Sequence, residues 1–219
     1  MHKAHPNLIS FKAIHRGSIV LEDTFCSLGG GFIQRLGYSQ VRNDEKILLP
    51  FPIQCGVDLL SYSKNTNLSI WDIVLENEKY FRSEDEINQN ISRIFEVMKE
   101  SAYRGCITEG FLPGYLNVKR RARSLCSKLL EKHQYKSINA WDAALRNEPL
   151  IFDTLNTWIS CFALAVNEEN AAMGRIVTSP TNGASGVIPA VLLYHHYFIK
   201  NRGIEDVKKF LSVAEEIAM

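Results

Sequence analysis

The segment Thr178-Ser-Pro-Thr-Asn-Gly-Ala-Ser-Gly-Val-Ile-Pro-Ala-Val-Leu-Leu-Tyr-His-His-Tyr-Phe198 joins two unlike halves. A run of small residues, most carrying a hydroxyl or amide or no side chain at all, passes directly into an apolar stretch of helical pattern. A helix start leaves four backbone N–H groups unpaired, and one Ser, Thr or Asn is enough to cap it. Here the side-chain oxygens exceed that need, so the stretch reads as a site for a carboxylate or phosphate at a helix N-terminus.

The apolar half, Gly186–Ile199, pairs with a second segment, Leu150–Met173, closed by Gly174. Both carry apolar residues most of the way round, which predicts the buried centre of a helical domain. Trp158, Phe162, Val187, Val191 and Leu192 are its expected core. Outward from this pair, Ser69 and Asp72 form a capping-box pattern. Ser83–Glu86 opens a longer helix with Ile87, Ile91, Ile94, Phe95 and Met98 on one face, ended by Gly105. A further amphipathic segment spans about 119–133, with Ala122, Leu125, Cys126, Leu129 and Leu130 inward. Before residue 36 the period is two: strands at 8–14 and 19–26 flank the turn His15-Arg-Gly-Ser18, and Gly29–Gly31 predicts a bend. The fold class is therefore mainly α with a short N-terminal β segment (α+β), with a β segment at 1–36 and a helical domain at 37–219. The last pattern, Phe210–Met219, is that of a helix still in progress, so the domain is expected to be incomplete at its C-terminus.

Composition excludes several classes. The 219 residues carry a net charge of +1 and no apolar run of membrane length, which argues against nucleic acid and membrane as partners. The first residues lack the apolar core of a signal peptide, so the expected location is the cytoplasm. Cys26, Cys55, Cys106, Cys126 and Cys161 show no local metal-ligand spacing, and each reads as a buried thiol used as a small apolar residue.

Polar clusters interrupt the apolar pattern at Thr108–Asn117, at Lys119-Arg-Arg-Ala-Arg123 and at Asn167-Glu-Glu-Asn170. The second is a cationic helix start and the third places acids near a helix C-terminus. Both oppose the helix dipole, which points to specific partners for each.

Ser27-Leu-Gly-Gly-Gly-Phe-Ile33, Thr108-Glu-Gly-Phe-Leu-Pro-Gly114, Arg120-Arg-Ala122, Ala163-Leu-Ala-Val-Asn-Glu-Glu-Asn-Ala171 and Ser179–Val191, in this order, resemble the iron–sulfur-dependent L-serine dehydratases (L-serine ammonia-lyases) from about Asn7 to the end of the chain. The resemblance implies an enzyme converting L-serine to pyruvate and ammonia, homodimeric when complete. It uses a [4Fe–4S] cluster in which one iron without a cysteine ligand acts as Lewis acid. It implies Thr181, Asn182, Gly183 and Ser185 as substrate-binding residues. Glu109, Arg120, Asn167, Glu168 and Asn170 become pocket or supporting groups. The general base is not assigned, and His195 and His196 read as core or surface histidines. Ser185 stands where relatives carry a cluster cysteine, and the family's later Gly-Cys-Gln region and Ser-Ser-Ser-His-Thr motif are not in the chain. The cluster is therefore expected to be absent from this chain, which is expected to be inactive alone. The alternatives are a non-catalytic homologue or fragment that binds an amino acid or partner subunit, and a pyridoxal-phosphate lyase, for which no lysine has a persuasive setting.

Overall fold

A computed structural model describes residues 7–29, 32–37, 48–133, 135–149, 151–178, 181–199 and 203–218. Gly30 and Gly31, at the expected bend, lie outside the described residues, as do Leu150, Ser179 and Pro180. The chain divides into two units, Met1–Leu48 and Leu49–Met219.

The first unit is an antiparallel sheet of β1 (Leu8–His15), β2 (Ser18–Gly29) and β3 (Phe32–Arg35) in the order β1-β2-β3. Its first turn is set by Arg16 and Gly17, both at positive φ (47° and 80°), the backbone a tight two-residue hairpin requires. His15 pairs with Ser18 and Leu8 with Cys26, with one register shift at Ala13/Ile14.

The second unit is helical: α1 (Gly56–Thr66), α2 (Ile70–Lys79), α3 (Glu84–Ile107), α4 (Ala122–Leu129), α5 (Ile138–Asn147), α6 (Leu155–Ala171), α7 (Val187–Tyr194) and α8 (Ile204–Ala218). A 3₁₀ turn at Phe152–Thr154 precedes α6, and a π-helical turn at His195–Ile199 continues α7. Both predicted capping boxes form. Ser69 Oγ accepts from Asp72 N while Asp72 accepts from Ser69 N, and Ser83 and Glu86 repeat the arrangement.

Helix α6 is the centre. Trp158, Cys161, Phe162, Ala165 and Val166 are buried on it, and Leu192, Leu193 and Tyr194 bring α7 against the same core. Gly105 does not end α3. The helix runs two residues further, and the missing side chain instead lets α3 cross α6 closely, since a Cβ there would stand 2.3 Å from the Ala165 carbonyl oxygen. Gly186 has the same role at the start of α7, where a Cβ would meet the Ala163 oxygen at 2.6 Å.

Two core expectations are corrected. Val187 and Val191 are 57% and 39% exposed, one turn apart on the face of α7 turned away from α6, whereas Ala190, Leu192 and Leu193 fill the interior. An all-round apolar helix gives no signal of which face its partner covers. The segment expected at 119–133 shortens to α4, because residues 111–119 form a bridged loop and Leu130 ends the helix. Among the described residues, no helix is long and apolar enough to cross a membrane.

His196 is buried, edge-on to Phe95 at 5.0 Å, with Nε2 3.2 Å from Arg146 Nη2. Burial first, then the Arg146 charge, hold its pKa below the ordinary value. A depressed folded pKa gives stability that is complete above the unfolded pKa of about 6.5 and is lost as pH falls from there. The unfolding midpoint should fall between about pH 7 and 5, with a smaller slope in His196→Gln. Gly105→Ala should cost about 3 kcal/mol in denaturant unfolding, the upper end for overpacking against backbone. Gly183→Ala, with nothing within 4 Å of the new Cβ, should cost well under half of that.

Candidate active-site face and buried thiol cluster

The segment that opens α7 folds as a turn tied to α6. Thr181 Oγ1 accepts from Ala184 N at 3.4 Å, and Asn182 O accepts from Ser185 N at 3.3 Å. Ser185 is buried, and its hydroxyl donates to the same Asn182 oxygen at 2.7 Å. Asn170, from the last turn of α6, donates to that oxygen through Nδ2 at 3.2 Å. Asn167, one turn earlier on the same face, lies against Gly186, where a Cβ would come 3.0 Å from its side-chain amide. Thr181, Asn182 and Gly183 are exposed. The Gly183 amide has no partner among the described residues, and the space beside its Cα is open. Six of the predicted residues are thus gathered at one place: Thr181, Asn182, Gly183, Ser185, Asn167 and Asn170.

The others lie apart from this group. Glu168 and Glu169 follow Asn167 by about 100° and 200° around α6 and face a different environment. Glu168 is buried and accepts from Arg121 N at 2.7 Å and Ala122 N at 3.3 Å, capping α4 from another helix. Glu169, in the same polar cluster but not among the residues expected at the pocket, is also buried. It bridges Arg120 Nη1 at 3.0 Å and Arg104 Nε at 3.1 Å. The two features that opposed the helix dipole therefore satisfy one another: the cationic start of α4 meets the acids near the end of α6. The anion expected beside Arg120 is supplied by the chain itself. Glu109 is exposed and pairs with Arg123, which also donates to Ile107 O.

Of the five cysteines expected to be buried, Cys106, Cys126 and Cys161 are, whereas Cys26 is half-buried and Cys55 exposed; the three buried thiols are not separate from one another. From α3, α4 and α6 they bring their sulfurs within 4.8 Å of one another, with Cys106 and Cys161 at 3.9 Å. Such a group could hold a metal. Spacings of 20 and 35 residues, on three helices, match no local ligand motif, so only the crossing of the helices reveals it. Cys126 is the most polarised of the three. Hydrogen bonds first from Cys106 and then from Cys161 hold it well below the ordinary thiol range, and the hydroxyl of Tyr135, 3.2 Å away, adds to this. Cys106 is pushed up in return by its bond to Cys126. The Trp141 indole N–H is buried beside this group and has no hydrogen-bond partner among the described residues.

Removing one member of a buried ion pair leaves the other charge uncompensated, at a cost of about 3–5 kcal/mol. Glu169→Gln should lose stability on that scale by denaturant titration. Glu109→Gln, losing only an exposed pair, should change it by less than about 1 kcal/mol.

Residues 65–219 match the family model described as serine dehydratase alpha chain. The chain is 37% identical over 213 residues to L-serine dehydratase 2 of Escherichia coli (strain K12), covering 97% of this chain and 44% of that protein. It is 40% identical over 206 residues to the L-serine dehydratase of Streptomyces coelicolor, covering 93% of this chain and 42% of that protein. The match to L-serine dehydratase of Helicobacter pylori is 31% over 220 residues, covering 97% of this chain and 45% of that protein. The chain spans less than half the length of the curated relatives it matches. With the matched family model extending over α2 to α8 and the related sequences over nearly all of the chain, the protein belongs to the serine dehydratase alpha chain family.

Proposed function

We propose that this chain forms the substrate-carboxylate face of an L-serine ammonia-lyase. The observation that carries the reading is the exposed Thr181–Gly183 turn at the start of α7, anchored to α6 by Asn170, in a chain of the serine dehydratase family. Thr181 Oγ1 and Asn182 O stabilise the turn from within, which leaves the Gly183 amide and the exposed Asn182 side chain to meet an anion at the positive end of α7. Asn170 fixes the height of the turn over α6, and Ser185 acts as a brace on Asn182 O.

In the proposed reaction serine loses its α-proton and its β-hydroxyl. The aminoacrylate product tautomerises to an imine, which adds water and releases ammonia and pyruvate. No oxidant or reductant is needed. A carboxylate held by backbone amides fixes the α-carbon, so that proton removal and hydroxide departure occur at a defined position.

The iron–sulfur cluster implied by the resemblance does not fit the Cys106–Cys126–Cys161 group. In a cluster each thiolate binds a different iron, so the ligand sulfurs must spread apart around several metal and sulfide atoms. Here the sulfurs lie within 4.8 Å of one another, and their surroundings are filled. Cys161 Sγ is 3.6 Å from Ala122 O, and Cys126 Sγ is 3.2 Å from Tyr135 Oη. No step of the reaction is routed through such a cluster at this position.

In an active serine dehydratase containing this segment, Asn182→Ala should raise KM for L-serine and reduce kcat/KM about tenfold, the value of one hydrogen bond to a charged group. The thermal midpoint should be nearly unchanged, because Asn182 is exposed and it is its backbone oxygen that Ser185 and Asn170 use. Unchanged serine kinetics would leave the turn as a helix cap only and remove this reading.

A further inference from the structure

We propose that Cys106, Cys126 and Cys161 form a buried binding site for a single zinc-class divalent cation, a structural site that ties α3, α4 and α6 together. A tetrahedral zinc ion with bonds to sulfur of about 2.3 Å holds its thiolates about 3.8 Å apart. Cys106 and Cys161 already stand at 3.9 Å, and no pair in the group exceeds 4.8 Å. Closing the set around one ion therefore needs movements of about 1 Å or less, within the reach of small χ1 adjustments.

The choice of ion follows from charge and burial. Thiolate ligands select soft or borderline cations such as zinc and monovalent copper over magnesium or calcium. Three thiolates around a divalent ion leave one net negative charge, and around a monovalent ion they leave two. All three sulfurs are almost completely shielded from solvent, and the cost of burying charge favours the smaller residue. Polar groups are in place for the remaining charge. The Tyr135 hydroxyl is 3.2 Å from Cys126 Sγ, and the Trp141 N–H, without a hydrogen-bond partner among the described residues, lies beside the same sulfur. Outer hydrogen bonds of this kind orient and tune bound ligands. The group differs in place from the Thr181–Ser185 turn. Cys161 precedes Asn167 by six residues, about 9 Å along α6, so the ion would brace the helix that carries the face rather than touch a ligand bound there.

A cleft of about 590 Å³, lined by Tyr103, Arg123, Leu130, His133 and Tyr135 among others, adjoins the cluster through Tyr135. Tyr135 belongs to both the cleft wall and the surroundings of the cluster, so its side chain stands between the two.

The test uses the 219-residue chain purified under reducing conditions and loaded with Zn²⁺ or, as a spectroscopic stand-in, Co²⁺. The expected result is one tightly held ion per chain after gel filtration and strong near-ultraviolet thiolate-to-cobalt absorption. Cys126→Ser and Cys161→Ser should each abolish that absorption, and Cys55→Ala, at an exposed thiol, should leave it intact. If the serine variants do not fold, the wild-type chain decides. Three thiols should resist alkylation with zinc bound and become reactive when a chelator is added. The proposal is overturned by the absence of charge-transfer absorption in the wild type. It is equally overturned by absorption that survives both serine substitutions, by a Cys106–Cys161 disulfide in the reduced preparation, or by equal amounts of several irons and sulfides held by the trio.

Discussion

The structure depends on how closely α3 can approach α6. A side-chain carbon at Gly105 would stand within 2.6 Å of three backbone atoms of Ala165, so only a hydrogen fits between the two helices. At such a crossing the residues on either side are forced together. Cys106 follows Gly105 directly and meets Cys161, one turn before Ala165, at 3.9 Å. The apolar face of α6 is then sealed by α7, which approaches through a second glycine, Gly186, against the Ala163 oxygen. Two missing side chains thus set the positions of three helices.

The ionic pattern around α6 follows from the same geometry. Helix α4 begins with arginines and has no acid in its first turn, so its free amides and charges need an anion from elsewhere. Glu168 and Glu169, consecutive on α6, share that role. Glu168 takes the Arg121 and Ala122 amides, and Glu169 takes the Arg120 and Arg104 side chains. Buried carboxylates are tolerated where every charge has a partner and the geometry is fixed by surrounding packing. This network fixes the rotation of α6 about its own axis and so determines that Asn167 and Asn170 face the Thr181–Ser185 turn.

Polar residues close in sequence thus serve different ends. Asn167 and Asn170 support the turn in front of α7, whereas Glu168 and Glu169 serve α3 and α4. The helical period of about 3.6 residues separates them onto different faces, and the motif that contains all four is a structural joint as much as a binding element. The turn itself is economical. One backbone oxygen, that of Asn182, accepts from Ser185 N, Ser185 Oγ and Asn170 Nδ2, while the exposed side of the turn is left open.

Local chemistry written in the chain is legible without coordinates. Ser69 with Asp72 and Ser83 with Glu86 form caps wherever they start a helix, and Arg16-Gly17 allows one tight turn between two β-patterned runs. The burial of Trp158 and Phe162 follows from the apolar character of the segment that forms α6. The unusual signs of charge at Arg120–Arg123 and Glu168–Glu169 are visible as a need for partners, although not as a need for each other. What the sequence leaves open is whatever depends on the direction in which a helix faces. Val187 and Val191 are indistinguishable from Leu192 by pattern, because hydrophobic burial has no direction until a neighbour covers one side. Gly105 resembles a helix stop in the sequence, and only the crossing with Ala165 makes it a contact. Cys106, Cys126 and Cys161 lie too far apart along the chain for any spacing rule to join them. Their meeting is decided by tertiary packing alone, because sulfur-to-sulfur distance is a property of helix crossings and not of residue order.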